Sequence, residues 1–142
     1  MEILSLLRSK NRCLQRLLHL SEQFASELEK KGLESLEQFQ AKREAIMKAL
    51  ELYDRKVAEV ATTIPSEKRT PSLIQDVRKI LAQKEELVSR IMKSDQKIIS
   101  RIEQEEEEIL KEMTLTKKAG GIVKKFKSNW VSSSGEEIDR KL

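Results

Sequence analysis

Between Leu36 and Ile64 apolar residues return at alternating steps of three and four: Leu36, Phe39, Ile46, Leu50, Tyr53, Val57, Val60 and Ile64, with Arg43 at the one position where the series turns polar. A seam of that period belongs to a helix that buries one narrow stripe against a neighbour. Period-two alternation is absent, so a strand has no support. Helix breakers are scarce enough to let such helices run, since the four glycines and two prolines fall at a few places. Charged residues at 37% and aromatics at 4% match the composition of long helices, whose core is a thin seam between elements.

Two further helical segments flank this one. The first, from about residue 2 to Lys31, carries Leu7, Leu14 and Leu28 at heptad spacing, flanked by Ile3, Leu17 and Phe24 and by Leu4, Leu18 and Ala25. Gly32 ends it, where a left-handed C-cap glycine is expected. The second helix is expected over about 33–63, stopping before Pro65 because a residue preceding proline is pushed out of helical geometry. Residues 65–71 form a polar loop; Thr70 or Ser72 can cap the third helix, with Pro71 at a first helical position and Ser72 to Gln75 matching a capping box. That helix, over about 72–114, has Ile74, Val77, Leu81, Val88, Ile91, Ile98, Ile102 and Ile109 on its seam, interrupted at Lys84, Asp95 and Glu105.

Length then sets the architecture. At 1.5 Å per residue the third helix is about 60 Å long and the second about 45 Å. The short loops fold successive helices back on one another. The expected fold is all-α: an elongated antiparallel three-helix bundle over 1–114, with an overhang near Glu103–Glu112. Residues 115–142 are a different object. The body 1–114 holds 21 basic and 21 acidic residues, whereas 115–142 holds seven basic and three acidic. A Gly120-Gly121 hinge precedes Ile122, Val123, Phe126 and Trp130 on one helical face and Lys124, Lys125 and Lys127 on the other.

Catalysis lacks parts. His19 is the single histidine and Cys13 the single cysteine, so a Cys-based metal site and an intrachain disulfide are excluded. No phosphate-binding glycine loop, zinc signature or calcium loop is present. No enzyme activity, cofactor or metal is expected. The acidic run Glu103, Glu105, Glu106, Glu107 and Glu108 reads as a solvated helix face, because carboxylate-bridged metal bundles need Glu-x-x-His pairs. Nothing resembles a signal peptide, and no stretch approaches the roughly 20 apolar residues of a membrane span, so a soluble cytoplasmic protein is expected. Two readings stand for Arg43, Lys84 and Asp95: they specify register or partner choice, or the long cations snorkel out to water. The tail's apolar face with its lysines suits a membrane surface, nucleic acid or a protein partner. Protein docking is preferred, because the apolar face is small and arginine is scarce.

The order of parts resembles the flagellar export chaperones of the FlgN and FliT type. The resemblance rests on the Leu14–Leu18 region of the first helix, the turn Lys31-Gly32-Leu33-Glu34-Ser35-Leu36, the phrase Lys42-Arg43-Glu44-Ala45-Ile46, and a long acidic helix leading to Lys117-Lys118-Ala119 and on to Phe126 and Trp130. The Gly120-Gly121 break departs from that pattern. The resemblance implies a cytoplasmic chaperone that binds a helical terminal segment of a secreted flagellar hook- or filament-associated protein and delivers it to the type III export apparatus. A client helix would complete the seam of the second and third helices, and the C-terminal segment would cover that groove until the client arrives. The candidate partner-binding residues are Ile98, Ile102, Ile109, Leu110 and Met113 on the third helix, and Ile122, Val123, Phe126 and Trp130 in the tail. The alternative is a homodimeric coiled-coil scaffold joined through the heptads of the second helix. Neither reading involves nucleic acid or a membrane span.

Overall fold

The computed structural model describes residues 2–111 and Phe126. Three helices account for nearly all of them: α1 (Glu2–Lys31), α2 (Leu36–Thr63) and α3 (Pro71–Lys111). One 3-10 turn, Ser66–Lys68, interrupts the loop before α3. No strand occurs among the described residues. The fold is the expected all-α bundle.

The boundaries follow from local chemistry. Gly32 adopts φ 64°, and its N–H donates to the Leu28 carbonyl at 3.0 Å, closing α1 in the left-handed cap that glycine permits. The turn consumes residues through Ser35, so α2 begins at Leu36, three residues later than expected. At its far end Ile64 takes extended geometry (φ −74°, ψ 116°) ahead of Pro65, as the proline requires. Thr70 caps α3: its Oγ1 accepts from the Leu73 N–H at 3.2 Å, and Pro71 takes the first helical position. Ser72 therefore lies inside the helix. The expected extension of α3 to residue 114 lies outside the described residues.

Chain direction makes α1 antiparallel to α2 and parallel to α3. The core follows as three stacked layers. Ile3, Leu7, Val57 and Ile80 form one end. Leu14, Leu17, Leu50 and Ile91 form the middle. Phe24, Leu28, Leu36, Phe39, Ile98 and Ile102 form the end near the Gly32 turn. Each layer draws on all three helices, which is how seams of period 3.5 pack. The spacing, however, is unequal. Helix α1 approaches both partners closely along its length, whereas the backbones of α2 and α3 come within 8 Å of each other at almost no point. The bundle is thus a central helix with one helix on each flank, and α2 and α3 meet through side chains.

Register places α3 across the whole bundle. Ile80 lies level with Ile3 and Leu7, and Glu105 lies level with the turn, its Oε1 3.9 Å from where a Cβ on Gly32 would stand. The excess length of α3 is therefore shared between its ends, and the C-terminal overhang begins beyond Glu105. Ile74, expected on the seam, is 43% exposed, near the start of α3 where the bundle tapers.

Candidate functional site

Helices α2 and α3 stand apart, and the cleft between their backbones is filled by side chains, among them polar residues placed on the seam. Arg43 of α2 reaches across to Asp95 of α3 with its two terminal nitrogens, donating from Nη1 to Oδ1 at 3.4 Å and from Nη2 to Oδ2 at 3.1 Å. Both side chains are 0% exposed, so neither snorkels to water. Burial pulls the Arg43 guanidinium below its ordinary value, while the Asp95 charge and hydrogen bonds draw it back up. Because the folded value lies below the unfolded one, keeping Arg43 protonated costs folding free energy at neutral pH, and Asp95 offsets part of that cost. Lys84 is also buried, at 5% exposure, one turn from Val88.

A second buried pair joins α1 to α2: Lys10 Nζ stands 2.7 Å from Asp54 Oδ1, with side chains 1% and 2% exposed. Asn11 donates from Nδ2 to the Ile80 carbonyl of α3 at 3.0 Å. Sequence pattern alone missed Lys10, Asn11 and Asp54. Lys10 and Asn11 are neighbours to Leu7 and Leu14 at helical spacing, and that position was the available signal. Together the pairs fix register. Sliding one helix by a heptad would strand a charge in hydrocarbon, a cost of several kcal/mol, roughly 3–5 when one partner is lost.

Phe126 occupies the end of the cleft next to the Arg43–Asp95 pair. It is 0% exposed and belongs to the layer of Phe24, Phe39, Ile98, Ile99 and Ile102. Its ring centroid lies 5.7 Å from that of Phe39, tilted by 43°, and 5.4 Å beneath the Arg43 guanidinium carbon. Phe39 in turn stacks on Phe24 of α1 at 4.1 Å. Ring-edge, ring-face and cation contacts of this kind hold an aromatic more firmly than area alone, by roughly 0.5–2 kcal/mol each. One residue of the tail thus completes a core layer of the body.

Away from Phe126 the same face of α3 is only partly covered. Val88, Met92, Asp95 and Ile99 follow at helical spacing, and Asp95 shows that this row faces α2. Val88 and Met92 are half-buried, and with Lys84 and Gln96 they line a depression of about 420 Å³ whose walls all belong to α3. Met47 of α2, packed on the same middle layer, is half-buried as well. Unbranched methionines suit a surface that must repack around an incoming side chain.

Of the candidate partner-binding residues, Ile98 and Ile102 are fully buried, at 0% exposure, in the layer that Phe126 completes. They hold the bundle together and do not present an open surface. Ile109 is half-buried and Leu110 is 53% exposed on the overhang. Met113, Ile122, Val123 and Trp130 lie outside the described residues. The acidic run is largely solvated, with Glu103, Glu107 and Glu108 exposed and Glu105 held by Arg101 at 3.1 Å. His19 is exposed on α1. Among the described residues no cluster of His, Cys, Asp and Glu is placed to hold a metal ion, and no helix is long and apolar enough to cross a membrane.

No family model, curated protein or solved structure matches this chain.

Proposed function

We propose that this protein is a helix-binding chaperone whose client lies in the cleft between α2 and α3. The observation that carries the reading is the seating of Phe126. A cleft that takes up an aromatic side chain from a segment remote in sequence has the shape and chemistry to take up one from another protein. The partly covered row of Val88 and Met92 gives a client helix further apolar contact along the same face. The Arg43–Asp95 pair in the wall supplies a fixed polar landmark, so an incoming helix is read for register as well as for hydrophobicity.

Within this reading the likeness to flagellar export chaperones assigns the client: an amphipathic terminal helix of a secreted hook- or filament-associated protein, held in the cytoplasm and passed to the type III export apparatus. Phe126 then acts as an internal competitor that lowers affinity until a client with better contacts displaces it. The homodimeric scaffold draws less support, because Leu36, Phe39, Leu50 and Val57, the residues it would use, are buried within a single chain.

Capture from native lysate at moderately high salt, with the full chain and with Phe126→Asp as baits, tests the proposal. Enrichment of one secreted axial protein, stronger on the variant, is expected. Recovery of the bait alone, as a stable dimer, would replace the chaperone with the scaffold.

A further inference from the structure

A second groove, between α1 and α2, has no part in the reading above. It has a volume of about 670 Å³, with Arg12, Arg16 and Leu20 on the α1 wall and Lys42, Ala45 and Ile46 on the α2 wall. No acidic residue lines it. The reason lies in the sequence of α1: over residues 3–26 the single acid is Glu22, and Arg90 of α3 already holds it at 3.2 Å. Arg12 donates only to the neighbouring Ser9 hydroxyl, at 2.8 Å. Three cations on facing walls therefore lack an acid among the described residues, which is an unusual state on a surface otherwise laced with both signs.

The floor and the far wall are apolar and shallow. Leu20 and Ile46 are half-buried, and Ala45 is exposed. Ala41 and Ala49 continue the Ala45 row at four-residue steps, and Leu52, 49% exposed, lies one heptad beyond Ala45. Small residues in a row let another helix approach closely, and two neighbouring helices present ridges into which a third packs at about 8–10 Å. Toward the Gly32 turn the balance shifts to negative, with Glu27, Glu34 and Glu37 against the single cation Lys31. An occupant thus meets a positive stretch, then a negative one, which sets its direction.

We infer that this groove docks an amphipathic helix of a partner protein, with an apolar stripe flanked by acidic residues seated against Arg12, Arg16 and Lys42. A helix suits the site because the bundle offers no open strand edge and the floor is aliphatic. Nucleic acid suits it less: the imidazole of His19 is the one ring in the lining on which a base could stack, and the cations sit on opposing walls instead of spreading over one face.

The test uses the full chain and two synthetic helical peptides of equal length with the same leucine stripe, one flanked by glutamates and one by lysines. Binding is read by fluorescence anisotropy at several salt concentrations, with a DNA duplex as a third probe. The acidic peptide should bind at least tenfold more tightly than the basic one. Arg16→Glu combined with Lys42→Glu should weaken it at least tenfold more. Arg78→Glu with Lys79→Glu, a matched charge change on the exposed face of α3, should leave it unchanged. Melting curves confirm folding, and Arg16→Gln with Lys42→Gln serves if the reversal unfolds the chain. Equal affinity for both peptides would overturn the proposal. So would an equal loss in the α3 control, or duplex binding lost with Arg16 and Lys42 while the acidic peptide fails to bind.

Discussion

Replacing Asp95 with leucine should nearly undo the bundle, and replacing Arg43 at the same time should restore it. In the native protein the two side chains are fully enclosed and joined by two hydrogen bonds. Asp95→Leu leaves a guanidinium in hydrocarbon without its carboxylate, and Arg43→Met leaves the carboxylate without its guanidinium. Each single change should cost about 3–5 kcal/mol. For a chain of 142 residues, with about 4 °C lost per kcal/mol, the melting temperature should fall by roughly 10–20 °C. The double variant removes both desolvation penalties and leaves two apolar side chains of similar bulk, so its stability should lie near the native value or as much as roughly 1–4 kcal/mol above it. Thermal and urea unfolding followed by circular dichroism at the helix band gives all four corners of the cycle. Losses below about 1 kcal/mol in both singles would overturn this, since they would mean that water reaches the pair. A folded double variant that no longer discriminates between clients would further identify the pair as a register device.

Gly32→Ala should cost about 1 kcal/mol, a purely conformational loss at φ 64°, because the added methyl meets nothing closer than 3.9 Å; Gly32→Asn should cost less, and urea midpoints distinguish the two. Asn11→Ala should lose about 1–2 kcal/mol by removing the buried bond to the Ile80 carbonyl, with the larger share appearing as faster exchange of amides in the first turns of α3. Phe126→Ala should tighten client binding while lowering stability, by at most about 3–5 kcal/mol, the cost of emptying a buried phenylalanine site. Calorimetric titration together with melting measures both effects.

Much of the bundle was legible because helix period and breaker chemistry are local. The seam of α2 named Leu36, Phe39, Leu50 and Val57, all of which are buried, and Gly32, Pro65 and Thr70 marked where helices end and begin. What periodicity could not give was the unequal spacing of the helices. Whether a seam faces one neighbour or two depends on side chains on other elements, so the close approach of α1 to both flanks, and the cleft it leaves, emerged only in three dimensions. Charge on the seam was visible at Arg43 and Asp95 but not its pairing, since residues 52 positions apart share no local signal. Lys10 and Asp54 went unnoticed because polar residues at the edge of a broad apolar stripe look like its solvated rim. The apolar face of the tail placed Phe126 among the partner-binding candidates. Its insertion beside Arg43 required the fold.

A client and Phe126 are proposed to compete for one cleft. A photo-crosslinking phenylalanine analogue at position 126 tests it directly, read as the intramolecular crosslink to α2 near Phe39 and Arg43. In the free chain that crosslink should be efficient, and it should decline in proportion to occupancy as the captured client is added. A client that binds to saturation while the crosslink stays at its starting level would rule out that competition.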